Sequence, residues 1–141
     1  MRCMVFVKAT EDSENGVMPS EKDLQDMGSF NEELVNAGVM LDGAGLKRSH
    51  ESVRISYDDN GAQVTHGPFA ETKELVAGYW VWEVKSMDEA IEWARRIPFN
   101  HGESVEIRPY ITAEDFGEAY SEELQERDAG LEAKIQEQKG S

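Results

Sequence analysis

The segment from Leu75 to Val84, with Tyr79, Trp80, Val81 and Trp82 in succession, constrains this chain more than any other stretch. Aromatic and β-branched residues at that density form a strand. The residues on its C-terminal side set its surroundings. Ser86-x-x-Glu89 is a capping box, and Ala90, Ile91, Ala94 and Ile97 mark the buried stripe of a helix that Pro98 stops. Val105, Ile107 and Pro109 then alternate with Glu106, Arg108 and Tyr110, which predicts a further strand.

The first half repeats the scheme. Cys3 to Val7 is a short apolar, β-rich run, expected to be a strand buried on both faces. Thr10 to Pro19 is polar and reads as a loop. Ser20 caps a helix in which Leu24, Met27, Phe30, Leu34 and Val35 recur at helical spacing as far as Gly38. Val39 to Leu41 starts an extended segment that runs into Asp42-Gly43-Ala44-Gly45-Leu46. Those glycines lack dinucleotide spacing and open no helix, so they predict a bulge or bend rather than a phosphate loop. Val53, Ile55 and Tyr57 alternate with Arg54, Ser56 and Asp58, the period of a half-buried strand. Asp58-Asp59-Asn60-Gly61 supplies a hairpin turn, and Gln63 to His66 returns.

A helix after the first strand and another before the last predict an α+β sandwich of ferredoxin-like type, with both helices on one sheet face. The other face still carries aromatic and branched residues. A homodimer burying roughly 800 Å² per partner is the expected cover. Residues 112–141 are different in kind, with nine acidic and three basic residues. Thr112-x-x-Asp115 reads as a helix start, followed by Phe116, Ala119, Tyr120 and Leu124 at helical spacing. The apolar stripe thins beyond Gly130, where a frayed end is expected. The organisation predicted is an α+β domain over 1–111 and an acidic helical extension over 112–141.

Composition narrows the function classes. A length of 141 residues allows one domain with a sizeable core, and three Trp suit a folded chain. The net charge of −15 repels phosphate backbones and anionic membranes, so neither nucleic acid nor a membrane is an expected partner. A single cysteine, Cys3, excludes an internal disulfide and a thiolate metal cluster. No apolar run approaches the ~20 residues that cross a bilayer, and the N-terminus lacks a signal-peptide pattern, so a cytoplasmic protein is expected.

Candidate chemistry is concentrated in one place. His50, His66 and His101 show no helical i,i+4 pairing and no cysteine nearby, so neither a metal site nor a cofactor is expected. His50 and His101 sit in polar loops and read as surface residues. His66 ends a strand, where an imidazole can act as general acid or base. The segment Gly67-Pro68-Phe69-Ala70-Glu71-Thr72-Lys73-Glu74 packs an aromatic ring, carboxylates, a hydroxyl and an ammonium between two strands. Scaffold-held loops of this kind carry binding groups. Phe69, Glu71, Thr72, Lys73 and Glu74 are the candidate ligand-binding residues, and His66, Glu71 and Glu74 the candidate proton-transfer groups. The competing reading has Lys73 merely paired to a neighbouring carboxylate while the loop closes a sheet or dimer edge. Trp80, Trp82 and Trp93 read as core, and Cys3 as a small buried hydrophobe.

That segment, with Ala77-Gly78-Tyr79-Trp80 and Asp88-Glu89-Ala90-Ile91-Glu92-Trp93-Ala94, resembles the YCII-related proteins of the DGPF type. Ala37 to Leu41, Gly43 to Leu46 and Val105 to Pro109 fit the same pattern, so the resemblance spans about residues 1–111. It implies a ferredoxin-like fold pairing into a dimeric α/β barrel. Some relatives are small lyases, and other domains of this type accompany alternative sigma factors, which implies regulation or ligand sensing. The motif's usual opening Asp is His66 here. Enzyme-like relatives carry a His–Asp dyad whose positions, by a gap-free alignment, fall on Met27 and Ile97. Neither side chain moves a proton. The expectation is therefore a dimeric small-molecule-binding or ligand-sensing protein. The alternatives are a cofactor-independent lyase or isomerase, and a regulatory module that binds a partner through its acidic tail.

Overall fold

The structure is a computed structural model and describes residues 1–140. It divides into two compact units, Met1–Tyr110 and the segment from Ile111 onward.

In the first unit, strands β1 (Arg2–Lys8), β2 (Met40–Gly45), β5 (Val76–Glu83) and β6 (Val105–Pro109) form an antiparallel sheet in the order β2-β5-β1-β6. Helix α2 (Glu21–Asn36) connects β1 to β2, and α3 (Met87–Arg95) connects β5 to β6. This is the split β-α-β connectivity of ferredoxin-like sandwiches. Strands β3 (Val53–Asp58) and β4 (Gly61–His66) interrupt the pattern as a separate two-stranded sheet.

The core follows from register. Cys3 lies opposite Trp82 and Val5 opposite Trp80, on the face that meets Phe30 and Leu34 of α2 and Ala90 of α3. Phe30 meets the Trp80 ring edge-on at 6.0 Å. Ser20 caps α2, accepting from the Asp23 amide at 3.0 Å, and Ser86 caps α3, accepting from the Glu89 amide at 3.2 Å. The glycines of β2 do mark an irregularity: the register slips between Met40 and Asp42, and a Cβ on Gly43 would stand 2.9 Å from Met40 Cε and 3.1 Å from Trp80.

Three expectations need correction. The β1 run is not buried on both faces: Cys3 and Val5 are covered, while Met4 and Phe6 are half-buried, because the helices lie on one side of the sheet only. Neither strand of the β3–β4 hairpin is half-buried, since every residue from Val53 to Asp58 and from Gly61 to His66 is exposed. Their alternation assigns side chains to two faces, but neither face meets the main sheet. The polar run after β1 is not wholly loop, because α1 (Glu11–Glu14) forms a single turn there. Thr10 and Ser13 cap it reciprocally, at 2.9 and 3.1 Å.

The second unit begins as the Thr112 signal predicts, with α4 (Ala113–Phe116) and a 2.7 Å bond from the Thr112 amide to Asp115. One continuous helix does not follow. Gly117 adopts φ +67°, and Ser121 caps a new helix, α5 (Glu122–Lys139). The frayed end is replaced by regular helix to Lys139, supported by an i,i+4 bond from Gln136 to Glu132 at 2.9 Å. Among the described residues, no helix is long and apolar enough to cross a membrane.

Candidate functional site

The motif after β4 is built in two halves. The first is an anchor. The Gly67 amide donates to the Ser52 carbonyl at 2.9 Å, and a Cβ on Gly67 would stand 1.7 Å from the Ser49 carbonyl oxygen, so only glycine fits this approach. The Gly67–Pro68 peptide is cis. The Phe69 amide donates to Ser49 Oγ at 3.0 Å, and the Arg54 guanidinium lies 3.9 Å from the centre of the Phe69 ring. Ser49 Oγ in turn donates to Glu14, whose second carboxylate oxygen accepts from the Ser49 amide at 2.9 Å. Glu14 and Ser49 are both buried. Burial pushes the Glu14 carboxyl up, but the Ser49 hydroxyl and amide, with His50 and Arg48 nearby, outweigh it and hold the group below the usual carboxylate range. One carboxylate thus ties α1 to the start of the motif.

The second half faces a cavity. The short 3-10 turn Thr72–Glu74 places Thr72 and Lys73 on the wall of a space of about 910 Å³. Val7 and Trp80 contribute from the sheet, Leu24, Met27 and Asn31 from α2, and Thr10 to Ser13 from α1 and its cap. The segment from Pro98 to Glu103 completes the wall. Lys73 has no ion-pair partner among the described residues. Several polar groups on the wall are committed to partners within the chain. The Ser20 amide and hydroxyl bond to Asp23 and hold it below the usual carboxylate range. Glu103 accepts from the Asn100 amide at 2.5 Å. The Trp80 indole N–H donates to Asn31 Oδ1 at 2.8 Å.

The candidate residues therefore part company. Thr72 and Lys73 line the cavity, whereas Phe69 belongs to the anchor, and His66, Glu71 and Glu74 are exposed and not on the cavity wall. Met27 lines the cavity with a thioether, and Ile97 packs half-buried beside the core. Among the described residues no group of three or more His, Cys, Asp or Glu side chains is placed to hold a metal ion. Several wall residues escape sequence reasoning, among them Glu11, Asp12 and Glu103. His101 is exposed, as its polar segment predicts, and also borders the cavity. Asn31 has a signal in retrospect, as a polar residue on the stripe of Met27 and Leu34. Trp80 serves the core and the cavity at once, while Trp82 is wholly core. Burial raises the pKa of the Cys3 thiol, in keeping with an inert core residue.

Comparison with known proteins finds a solved structure, a sequence relative and a family model to which this chain is similar. A solved structure of a 5-chloro-2-hydroxyhydroquinone dehydrochlorinase from Burkholderia phenoliruptrix AC1100, in complex with 2,5-dihydroxybenzoquinone, aligns over 79% of this chain and 94% of its own, at 11% identity and a TM-score of 0.42. An uncharacterised protein of Rhizobium meliloti (strain 1021) is 30% identical over 91 residues, which is 63% of this chain and 73% of that protein. The family model of the YCII-related domain matches residues 1–114, and on that match the chain belongs to the YCII-related family.

Proposed function

We propose that this chain is a small-molecule-binding protein whose ligand occupies the cavity between α1, α2 and the sheet, bordered by the Thr72–Lys73 turn. The cavity carries this reading. At about 910 Å³ it has the size of a ligand site, and it combines apolar side chains such as Leu24, Met27 and Phe99 with polar and charged groups. A binding role is favoured over proton-transfer catalysis because Met27 and Ile97 carry no titratable group and because His66, Glu71 and Glu74 do not line the wall. The second reading, a cofactor-independent lyase or isomerase, rests on His101, the one imidazole on that wall among the described residues.

The working unit proposed is a homodimer of ferredoxin-like sandwiches. Met4, Phe6 and Tyr79 lie half-buried on the sheet face that carries no helix, and pairing two such faces is the arrangement of a dimeric α/β barrel.

A thermal-shift screen against small aromatic acids, lactones, amides and hydroxylated aromatics tests the binding reading. A ligand at a hundredfold excess over its dissociation constant stabilises by about 2.7 kcal/mol, a rise of several degrees in Tm. The hit should weaken in Lys73→Ala. A panel without any reproducible hit would count against the cavity as a binding site. Turnover of the hit, abolished by His101→Ala, would select the lyase or isomerase reading instead.

A further inference from the structure

The orientation of one side-chain amide identifies the kind of ligand the cavity takes. The Trp80 indole nitrogen can only donate, so the Asn31 atom 2.8 Å from it must be the carbonyl oxygen. That fixes the amide, leaving Asn31 Nδ2 as a donor with no hydrogen-bond partner among the described residues. Asn31 is half-buried and lines the cavity, as does Trp80, whose ring packs edge-on against Phe30 and is thereby held in place. Met27, Met40 and Phe99 supply apolar surface on the same wall. A donor presented from such a wall calls for an acceptor on the ligand, since an unpaired donor in a filled apolar site is costly.

Charge sets the second condition. Glu11, Asp12, Asp23 and Glu103 line the same cavity, four carboxylates against the Lys73 ammonium and the His101 imidazole. Bare anions are turned away by that balance, in a chain whose net charge is already −15. We infer that the ligand is a largely apolar small molecule without net negative charge that bears a carbonyl-type acceptor, which Asn31 Nδ2 recognises. This rests on the proposed binding role of the cavity.

Three probes of one size separate the possibilities: benzamide (uncharged acceptor), benzoate (anion) and benzylammonium (cation). Titration of the full-length protein is followed by NMR, reading the Trp80 indole N–H resonance at the cavity wall. Benzamide is expected to bind at least tenfold more tightly than benzoate. The variant Asn31→Asp keeps an oxygen for the Trp80 indole but replaces the donor with a second oxygen. It should weaken benzamide at least tenfold, strengthen benzylammonium, and leave Tm within a degree or two of the parent. Should Asn31→Asp fail to fold, the order of the three probes on the unaltered protein still decides the matter. Benzoate binding as well as or better than benzamide would overturn the inference while sparing the cavity. So would benzylammonium binding tightest, or benzamide binding unchanged in a folded Asn31→Asp. No perturbation of Trp80 by any probe would overturn the binding role together with it.

Discussion

Glu14 is a carboxylate taken out of water and kept charged by two donors from a single serine. Its folded-state pKa lies below the ordinary value, because the Ser49 hydroxyl and amide outweigh burial, so it stabilises the fold above the unfolded-state pKa. That contribution is lost as the pH falls through the folded-state value. Glu14→Gln should cost about 1–3 kcal/mol at neutral pH, the range for a buried hydrogen-bonding group left partly unsatisfied. The gap between parent and variant should narrow as the pH drops below the ordinary glutamate range. Urea denaturation at pH 7 and at acid pH checks both points, and a gap that ignored pH would argue that packing, not charge, is what Glu14 contributes. No local feature of the sequence picks Glu14 out of its polar run. Its role exists only because Ser49 arrives from 35 positions away. The same holds for the cavity, whose wall gathers Thr10, Asn31, Lys73 and His101 from four separate segments.

At the level of elements, local signals suffice where one segment carries its own evidence. The capping residues Ser20 and Ser86, the Pro98 stop and the aromatic β5 run are of that kind, whereas the Ser121 cap is masked by the apolar spacing across Gly117. Alternation in β3 and β4 misleads for a physical reason: period two fixes which side a residue faces, not whether anything covers it. Glycines show the contrast between local and tertiary demands. Gly28 lies within α2 with nothing inside 4 Å of a Cβ, whereas a Cβ on Gly67 would collide with backbone. Gly28→Ala should therefore raise stability by about 0.5–1 kcal/mol through helix propensity alone. Gly67→Ala should lower it by about 1–3 kcal/mol, as forced overpacking does. It should also weaken whatever ligand the cavity holds, since the anchor precedes the Thr72–Lys73 turn. Equilibrium unfolding of the pair is the check, and a neutral Gly67→Ala would mean that the anchor yields more easily than its contacts imply.

At the scale of the molecule, the sheet face that carries no helix leads to a proposal on assembly. If two copies pair there, Phe6→Glu places two unpaired carboxylates in an apolar interface and should convert dimer to monomer in light scattering, with the secondary structure retained. A parent protein that is already monomeric would remove the dimer from the account. The sheet order has a consequence for how the chain is made. Strand β1 is bordered by β5 and β6, and its partner residues on β6 are Val105 to Pro109. Synthesis at about 5–20 residues per second puts roughly 5–20 s between the emergence of β1 and that of β6. Throughout that interval Cys3, Met4, Val5, Phe6 and Val7 have no complete set of strand neighbours. The nascent chain thus carries an apolar β-forming segment without its second neighbour until β6 has been made, a natural client for chaperones and an early nucleus for aggregation whenever they are scarce.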